Sequence, residues 1–267
     1  MDHLDRLENK SIYIIREAYK KFGNLTGLWS FGKDSTVIVW LCRKAFFGKV
    51  PFPLMHIDTT FKFPEMYQYR DEFIKKWDLK FIRYVNHEAL GRGVNYDNCD
   101  ALTCCEELKT NALKKAIQEY KIDGLLVGIR KDEEGSRSKE RYFSPRSKNF
   151  TWDYKNQPPE LWDQFKTTFP QGTHVRVHPL LDWTELDIWL YIQRENIPVV
   201  SLYFAKDGKR FRSLGCMPIT KPVPSRSSNV PEIIEELKTT QTTERSGRSQ
   251  DSEQEYALQK LRAKGYM

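Results

Sequence analysis

Apolar positions recur along this chain with two alternating periods. Residues 4–22 carry Leu4, Leu7, Ile12, Ile15, Ala18, Tyr19 and Phe22, the three- and four-residue spacing of an amphipathic helix seated on a core. Short apolar runs then alternate with further helical patterns. The runs 25–29, 53–57, 80–85, 124–129 and 174–179 are predicted strands, and 34–47, 64–77 and 106–120 are predicted helices. Strands separated by helices of this length specify an α/β fold: a parallel five-stranded sheet with helices on both faces. After the fifth strand, Asp182-Trp183-Thr184-Glu185 has the spacing of a capping box with Asp182 as the cap. It opens a helix that runs to about Glu195, and Ile197-Pro198 stops it. Pro231 starts a short helix to Lys238. A last helix is predicted over 251–264.

Two stretches break the alternation. Residues 143–172 carry Pro145, Pro158, Pro159, Pro170 and Gly172 among Trp152, Tyr154, Trp162 and Phe165. That many aromatics are not left solvated, so this is an ordered excursion, lid-like, rather than a flexible linker. Residues 201–231 are rich in Gly, Pro, Ser and basic residues. The expected organisation is a nucleotide-binding domain over 1–200, including the excursion, and a C-terminal extension over 201–267 that closes the site and docks a partner.

The 267 residues allow one large core with an appendage. No apolar run reaches the length of a membrane span. The start, MDHLDRLENK, lacks the apolar core of a secretory signal, so a cytoplasmic enzyme is expected. The formal net charge of +7 suits an anionic substrate, an acidic partner or nucleic acid without choosing among them. Cys42, Cys99, Cys104, Cys105 and Cys216 are five, and an odd count without an export signal argues against a disulfide framework.

The chemistry concentrates at Ser30-Phe31-Gly32-Lys33-Asp34-Ser35-Thr36, between the first strand and its helix. A strand, a tight glycine turn and a helix N-terminus make a phosphate site: backbone N–H groups converge on the anion and the helix dipole adds positive charge. Lys33 supplies a full charge, and Ser30, Ser35 and Thr36 supply hydroxyls. The plain alternative is a turn and a helix cap, which Asp34 or Ser35 would also serve. It is not a Walker loop, since no second glycine stands at the required place upstream of Gly32. It resembles the SGGKDS signature of the PP-loop ATP pyrophosphatases, which grip the pyrophosphate of ATP and expose its α-phosphorus.

Other strand ends point to the same crevice, because ligands of open α/β sheets sit outside the carboxyl ends of the strands. His56-Ile57-Asp58-Thr59 ends the second strand and Gly128-Ile129-Arg130 the fourth. Asp58 could accept from a ribose hydroxyl or the adenine amine, or else cap the next element. His56 reads as packed, and His87, His174 and His178 as structural. The run from Arg130 through Asp132, Glu133, Arg137 and Arg141 is the densest in charge. Its arginines suit forked binding of phosphate or sulfate oxygens. Its acids could hold those arginines or help hold Mg²⁺, with Asp132 and Glu133 as candidates. Most charge runs are solvated surfaces, but the position at a strand end favours function here. Cys99, Cys104 and Cys105 fall close together, with Cys216 far downstream. No C-x-x-C is present, and buried free thiols are favoured over an iron–sulfur cluster.

Taken together, LENKSIYIIREAYKKF, SFGKDST, FPLMHIDTTFKFPEMYQYRDEF, GIRKDEEGSRSKERYFS, WDYKNQPPELW, WTELDIWLYIQRENIPVVSLYFAK, FRSLGCMPIT and TTERSGRSQD resemble, nearly end to end, the small subunit (subunit 2) family of bacterial sulfate adenylyltransferase. This family is a branch of the PP-loop fold related to the phosphosulfate reductases. The resemblance implies a nucleotidyltransferase of sulfate assimilation, working in a heteromer with a GTPase large subunit and taking ATP and sulfate as substrates. It implies that Ser30, Gly32, Lys33, Asp34, Ser35 and Thr36 hold the pyrophosphate with Mg²⁺. Asp58 and Gly128 would lie by the nucleotide, Arg130, Arg137 and Arg141 would take phosphate or sulfate oxygens, and Arg212 would be a further anion ligand. The polar tail from Thr239 to Asp251 is a candidate docking or active-site segment.

Two departures stand out. Only Asp207, Gly208, Lys209 and Arg210 remain where typical members carry an insertion, and Cys104-Cys105 stands where they lack paired cysteines. A phosphosulfate reductase is disfavoured, because no cysteine follows Cys216 to serve as a tail nucleophile. A PP-loop pyrophosphatase of a sulfur-transfer pathway, acting in nucleic-acid thiolation or DNA phosphorothioation, draws support from the basic balance and the cysteine pair. Yet no basic stripe interleaved with aromatics is present, so nucleic acid and membrane are not expected partners.

Overall fold

The computed structural model describes residues 1–240, Thr242 and Glu244. The polar tail is therefore described only in part, and the helix expected over 251–264 lies outside the described residues.

Helix α1 (His3–Lys21) lays Ile14, Ile15 and Ala18 on the core. Strand β1 (Leu25–Leu28) follows and feeds α2 (Lys33–Ala45). Then come β2 (Leu54–Ile57), α3 (Pro64–Lys76) and β3 (Phe81–Tyr84). After the short α4 (His87–Gly91), a longer helical stretch opens with α5 (Ala101–Cys105), passes through a π-turn at Glu106–Asn111 and continues as α6 (Ala112–Glu119). β4 (Gly124–Leu126), β5 (Phe143–Arg146) and β6 (His174–Val177) complete the main sheet, and α7 (Glu185–Glu195) and α8 (Val230–Thr239) pack beside it. A small hairpin joins β7 (Lys209–Arg210) to β8 (Val223–Pro224). Just before β7 a tight left-handed turn at Asp207-Gly208, closed by a bridge between Lys206 and Lys209, stands where the sequence lacks the insertion.

The sheet order is β3-β2-β1-β4-β6-β5. The sheet therefore has six strands, not five. The five expected ones are parallel, in register at Gly27↔Leu54, Leu54↔Phe81, Thr26↔Leu125 and Leu125↔Arg176. The sixth, β5, comes from inside the aromatic excursion and pairs antiparallel to β6, Ser144 against Arg176. Pro145 concealed it, since proline reads against a central strand but is tolerated at an edge. Every residue of β1, β2, β4 and β6 is buried, as both-face coverage requires. One face packs Trp29, Val37, Leu41 and Trp189 with α1, α2 and α7, and the other packs Leu125, Val127 and Ile129 against Leu113 and Ala116 of α6. The α7 box is shifted from its expected place: Thr184 is the cap and Asp187 its partner, while Asp182 instead accepts from Lys131 and Tyr142.

The first strand crossover is set by chain chemistry. Trp29 and Phe31 plunge into the core, stacked edge to face at 4.9 Å, and Phe31 takes a left-handed conformation (φ 65°) to turn the backbone. Gly32 then begins α2 with no side-chain cap, which leaves the helix N-terminus facing the carboxyl edge of the sheet.

Candidate active site

A cleft of about 990 Å³, counted to its solvent-open mouth, lies at that edge. Leu28, Met55, Ile57, Val127 and Ile129 make an apolar slot along the strand ends, and Ser30, Gly32, Lys33, Asp34 and Ser35 form the adjoining polar wall. Ser30 and Ser35 hydroxyls are 3.2 Å apart, and the Ser35 hydroxyl also donates to the Gly32 carbonyl at 3.0 Å. The Lys33 N–H donates to the Tyr203 hydroxyl at 2.8 Å. Thr36 sits behind the loop, accepting from the Trp29 indole at 3.2 Å. Gly128 abuts the loop so closely that a Cβ there would lie 3.1 Å from the Ser35 amide nitrogen.

Charge is stored beneath this wall. Lys33 is 1% exposed and Arg130 0%. Lys33 Nζ donates to Asp34 Oδ2 at 3.1 Å and to Glu244 Oε1. The Arg130 guanidinium donates to Asp34, to Glu244 and, at 2.9 Å, to Asp132 Oδ1. Burial works against both cations, yet the Asp34 and Glu244 carboxylates outweigh it and hold both pKa values above the ordinary range. For Glu244 burial works against the charge as well, but Lys33 and Arg130 hold its carboxyl well below the usual range. Glu185, facing Glu244, is pushed up by burial and by that like charge.

The remaining sequence candidates divide. Arg137 and Glu133 line the cleft and pair with each other; Glu133 also accepts from the Arg130 N–H at 3.0 Å. Asp132 is engaged by Arg130 and by the Glu185 N–H at 2.7 Å, which ties the strand end to the start of α7. Arg212 is locked on Glu185 and on the Thr242 carbonyl (2.8 Å), and its neighbours Ser213, Leu214 and Gly215 line the cleft. Arg141 is not among the lining residues: its carbonyl accepts from His178 Nδ1 at 2.7 Å and its side chain lies near Glu160. Asp58 is turned away from the lining, accepting from the Thr60 N–H (2.8 Å), Tyr67 (2.8 Å) and Arg83 (2.6 Å). Burial raises its carboxyl, and those donors more than offset this. No residue of 143–172 lines the cleft.

The sequence reading missed Thr59, Lys62, Lys109, Tyr203 and Glu244. Lys109 is carried on the π-turn, a local widening common at functional sites and invisible to helical periodicity. Glu244 had one signal, its place in the matched polar tail. His56 lines the cleft with its Nδ1 3.2 Å from the Trp29 carbonyl, and burial, then Lys62, pushes its pKa down to about 3, so it is a neutral imidazole. The cysteines converge as no spacing foretold. Cys105, Cys216 and Ile219 share a small apolar cluster, and the Cys216 sulfur lies 3.1 Å from the Thr59 hydroxyl. Burial, then Cys105, Cys216 and Cys99, pushes the Cys104 thiol up to about 11. Among the described residues no three His, Cys, Asp or Glu side chains stand at metal-ligating distance.

The phosphoadenosine phosphosulfate reductase domain matches residues 24–222. Over its whole length the chain is 43% identical to sulfate adenylyltransferase subunit 2 of Geotalea uraniireducens, covering 98% of that protein, and 44% identical to its counterpart in Bacteroides fragilis, again covering 98%. The chain belongs to the sulfate adenylyltransferase subunit 2 family. Membership places it among the nucleotidyltransferases. The fold agrees: FMN adenylyltransferase of Candida glabrata, solved in complex with ATP, superposes with a TM-score of 0.56 at 20% identity, over 82% of this chain and 63% of that one.

Proposed function

We propose that the chain transfers the adenylyl group of ATP to sulfate. A sulfate oxygen attacks the α-phosphorus, the bond from that phosphorus to the β-phosphate bridging oxygen breaks, and adenosine 5′-phosphosulfate and pyrophosphate leave. The observation that carries this reading is the division of one cleft into an apolar slot and a polar wall carrying Lys33 and Arg137, joined at the N-terminus of α2. The slot suits an adenine ring. The loop hydroxyls, Lys33, Arg130 and Arg137 suit the departing pyrophosphate, because fixed cations in a water-poor site stabilise charge where it develops. No side chain need act as a base, since sulfate is already a dianion, so the protein's work is positioning and neutralisation. Of the two candidate Mg²⁺ ligands, Asp132 is taken up by Arg130, and Glu133 lines the cleft but is paired with Arg137, so it would hold the ion only by giving up that pair. Glu133 with phosphate oxygens is a usual donor set for that ion.

The relatives are named as subunit 2, which supports a partner subunit for this chain. We assign it as a large subunit with GTPase activity, as the family resemblance implies; GTP hydrolysis would offset the strongly uphill formation of the phosphosulfate anhydride. The four-cysteine neighbourhood beside Thr59 favours one second reading, a PP-loop pyrophosphatase that activates a nucleic acid for sulfur transfer. One assay separates them. With its large subunit and GTP, the chain should release pyrophosphate from ATP only when sulfate is present. Release without sulfate that instead depends on tRNA or DNA would replace the first reading with the second.

A further inference from the structure

Glu244 puts a carboxylate where the proposed chemistry needs a phosphoryl oxygen. It is buried and lines the cleft, one oxygen accepting from Lys33 Nζ and the other from an Arg130 guanidinium nitrogen. Asp34 bridges the same two cations, so the four side chains close into a ring of two positive and two negative charges. The two acids differ in how they are held. Asp34 is on α2, next to Lys33. Glu244 arrives from 211 residues further along and comes close to Glu185, a like charge. Of the pair, Glu244 is the one whose departure leaves the loop intact and two cations unpaired on that side, Lys33 in the cleft lining and Arg130 buried behind it.

We infer that Glu244 is an internal stand-in for a phosphoryl group: it fills the oxyanion subsite between Lys33 and Arg130, and a diphosphate or triphosphate must displace it to bind. The inference rests on the reading of the cleft as a pyrophosphate site. A competing internal ligand weakens every anion by the same factor, the inverse of the fraction of molecules with the subsite open. A lone sulfate, held by one group, is thereby pushed out of its useful range. A triphosphate, which also engages the loop and Arg137, retains enough affinity to enter. Glu244 thus sets the affinity an anion must have to occupy the leaving-group subsite, a threshold that a lone sulfate does not reach.

The test is calorimetric titration of inorganic pyrophosphate with Mg²⁺ into the full chain and into Glu244→Gln, with circular dichroism to compare folding. The variant should bind pyrophosphate at least tenfold more tightly, the factor for a subsite open about a tenth of the time. It should also gain measurable binding of inorganic sulfate that pyrophosphate competes away. Equal or weaker pyrophosphate binding by a folded variant overturns the inference and makes Glu244 a fixed strut. No pyrophosphate binding by either protein overturns the reading of the cleft as well. Should the variant fail to fold, a crystal of the unchanged protein with pyrophosphate decides. Diphosphate on Lys33 and Arg130 with the Glu244 carboxylate displaced is the expected result, and a carboxylate still on both cations with diphosphate elsewhere overturns it.

Discussion

Gly128→Ala isolates how the site is built, because it adds one methyl group and no charge. A Cβ at this position would lie 3.1 Å from the Ser35 nitrogen, 3.2 Å from its Cα and 3.3 Å from the Asp34 carbonyl carbon. All three are backbone atoms of the first turn of α2, so no side-chain rotation relieves the contact. Either β4 or the start of α2 must give by a few tenths of an ångström. Forcing a methyl into a packed site costs about 1–3 kcal/mol. The stiffer unfolded chain returns about 0.4–1 kcal/mol, because the backbone at Gly128 is not left-handed. The net loss should be about 1–2 kcal/mol by urea denaturation. If the turn holds pyrophosphate as proposed, displacing it should also lower pyrophosphate affinity or turnover about tenfold or more, since small misplacements of a preorganised site are expensive. Gly32→Ala is the contrast. Its Cβ would meet only the Tyr203 hydroxyl at 3.5 Å and the Ser30 hydroxyl at 3.6 Å, ordinary contacts, so the weakened cap and the stiffer unfolded chain should nearly cancel, within about 0.5 kcal/mol. A Gly128→Ala protein with unchanged stability and unchanged pyrophosphate binding would refute the close-approach argument.

Two further outcomes are expected. Lys33→Ala, with folding verified by circular dichroism, should lower sulfate-dependent pyrophosphate release about 10²–10³-fold, the usual effect of removing one preorganised charge-stabilising group; full turnover would remove Lys33 from the site chemistry. Acid should destabilise the fold well before its carboxylates titrate. Burial holds His56 and His174 down to about 3 and His178 to about 4, so the native state keeps them neutral while the unfolded chain protonates them near 6.5. Their contribution is complete above that value and is lost as pH falls from there through the native values of about 4 to 3, at up to about 4 kcal/mol per pH unit for three protons. Urea midpoints that stay level between pH 7 and pH 5 would contradict this.

The sequence by itself determined the alternation of elements, the five parallel strands and the glycine turn that opens α2. Each is local: apolar spacing, a glycine at a strand end and a lysine beside it act over a few residues. Its candidates Ser30, Gly32, Lys33, Asp34, Ser35, Gly128, Glu133 and Arg137 line the cleft, because residues at the carboxyl ends of parallel strands share one edge whatever else the chain does. Tertiary structure alone decided the rest. Which way a strand-end carboxylate turns depends on what lies across the sheet, and Arg83 and Tyr67 draw Asp58 out of the cleft. Arg141 follows its backbone into the layer of His178, although Arg137, four residues earlier, reaches the cleft. Glu244 meets Lys33 over 211 positions, and Cys216 meets the environment of Cys105 across most of a domain. Such pairings are set by how helices and loops return to the sheet edge. No periodicity or spacing encodes that return, because it depends on the packing of the entire core.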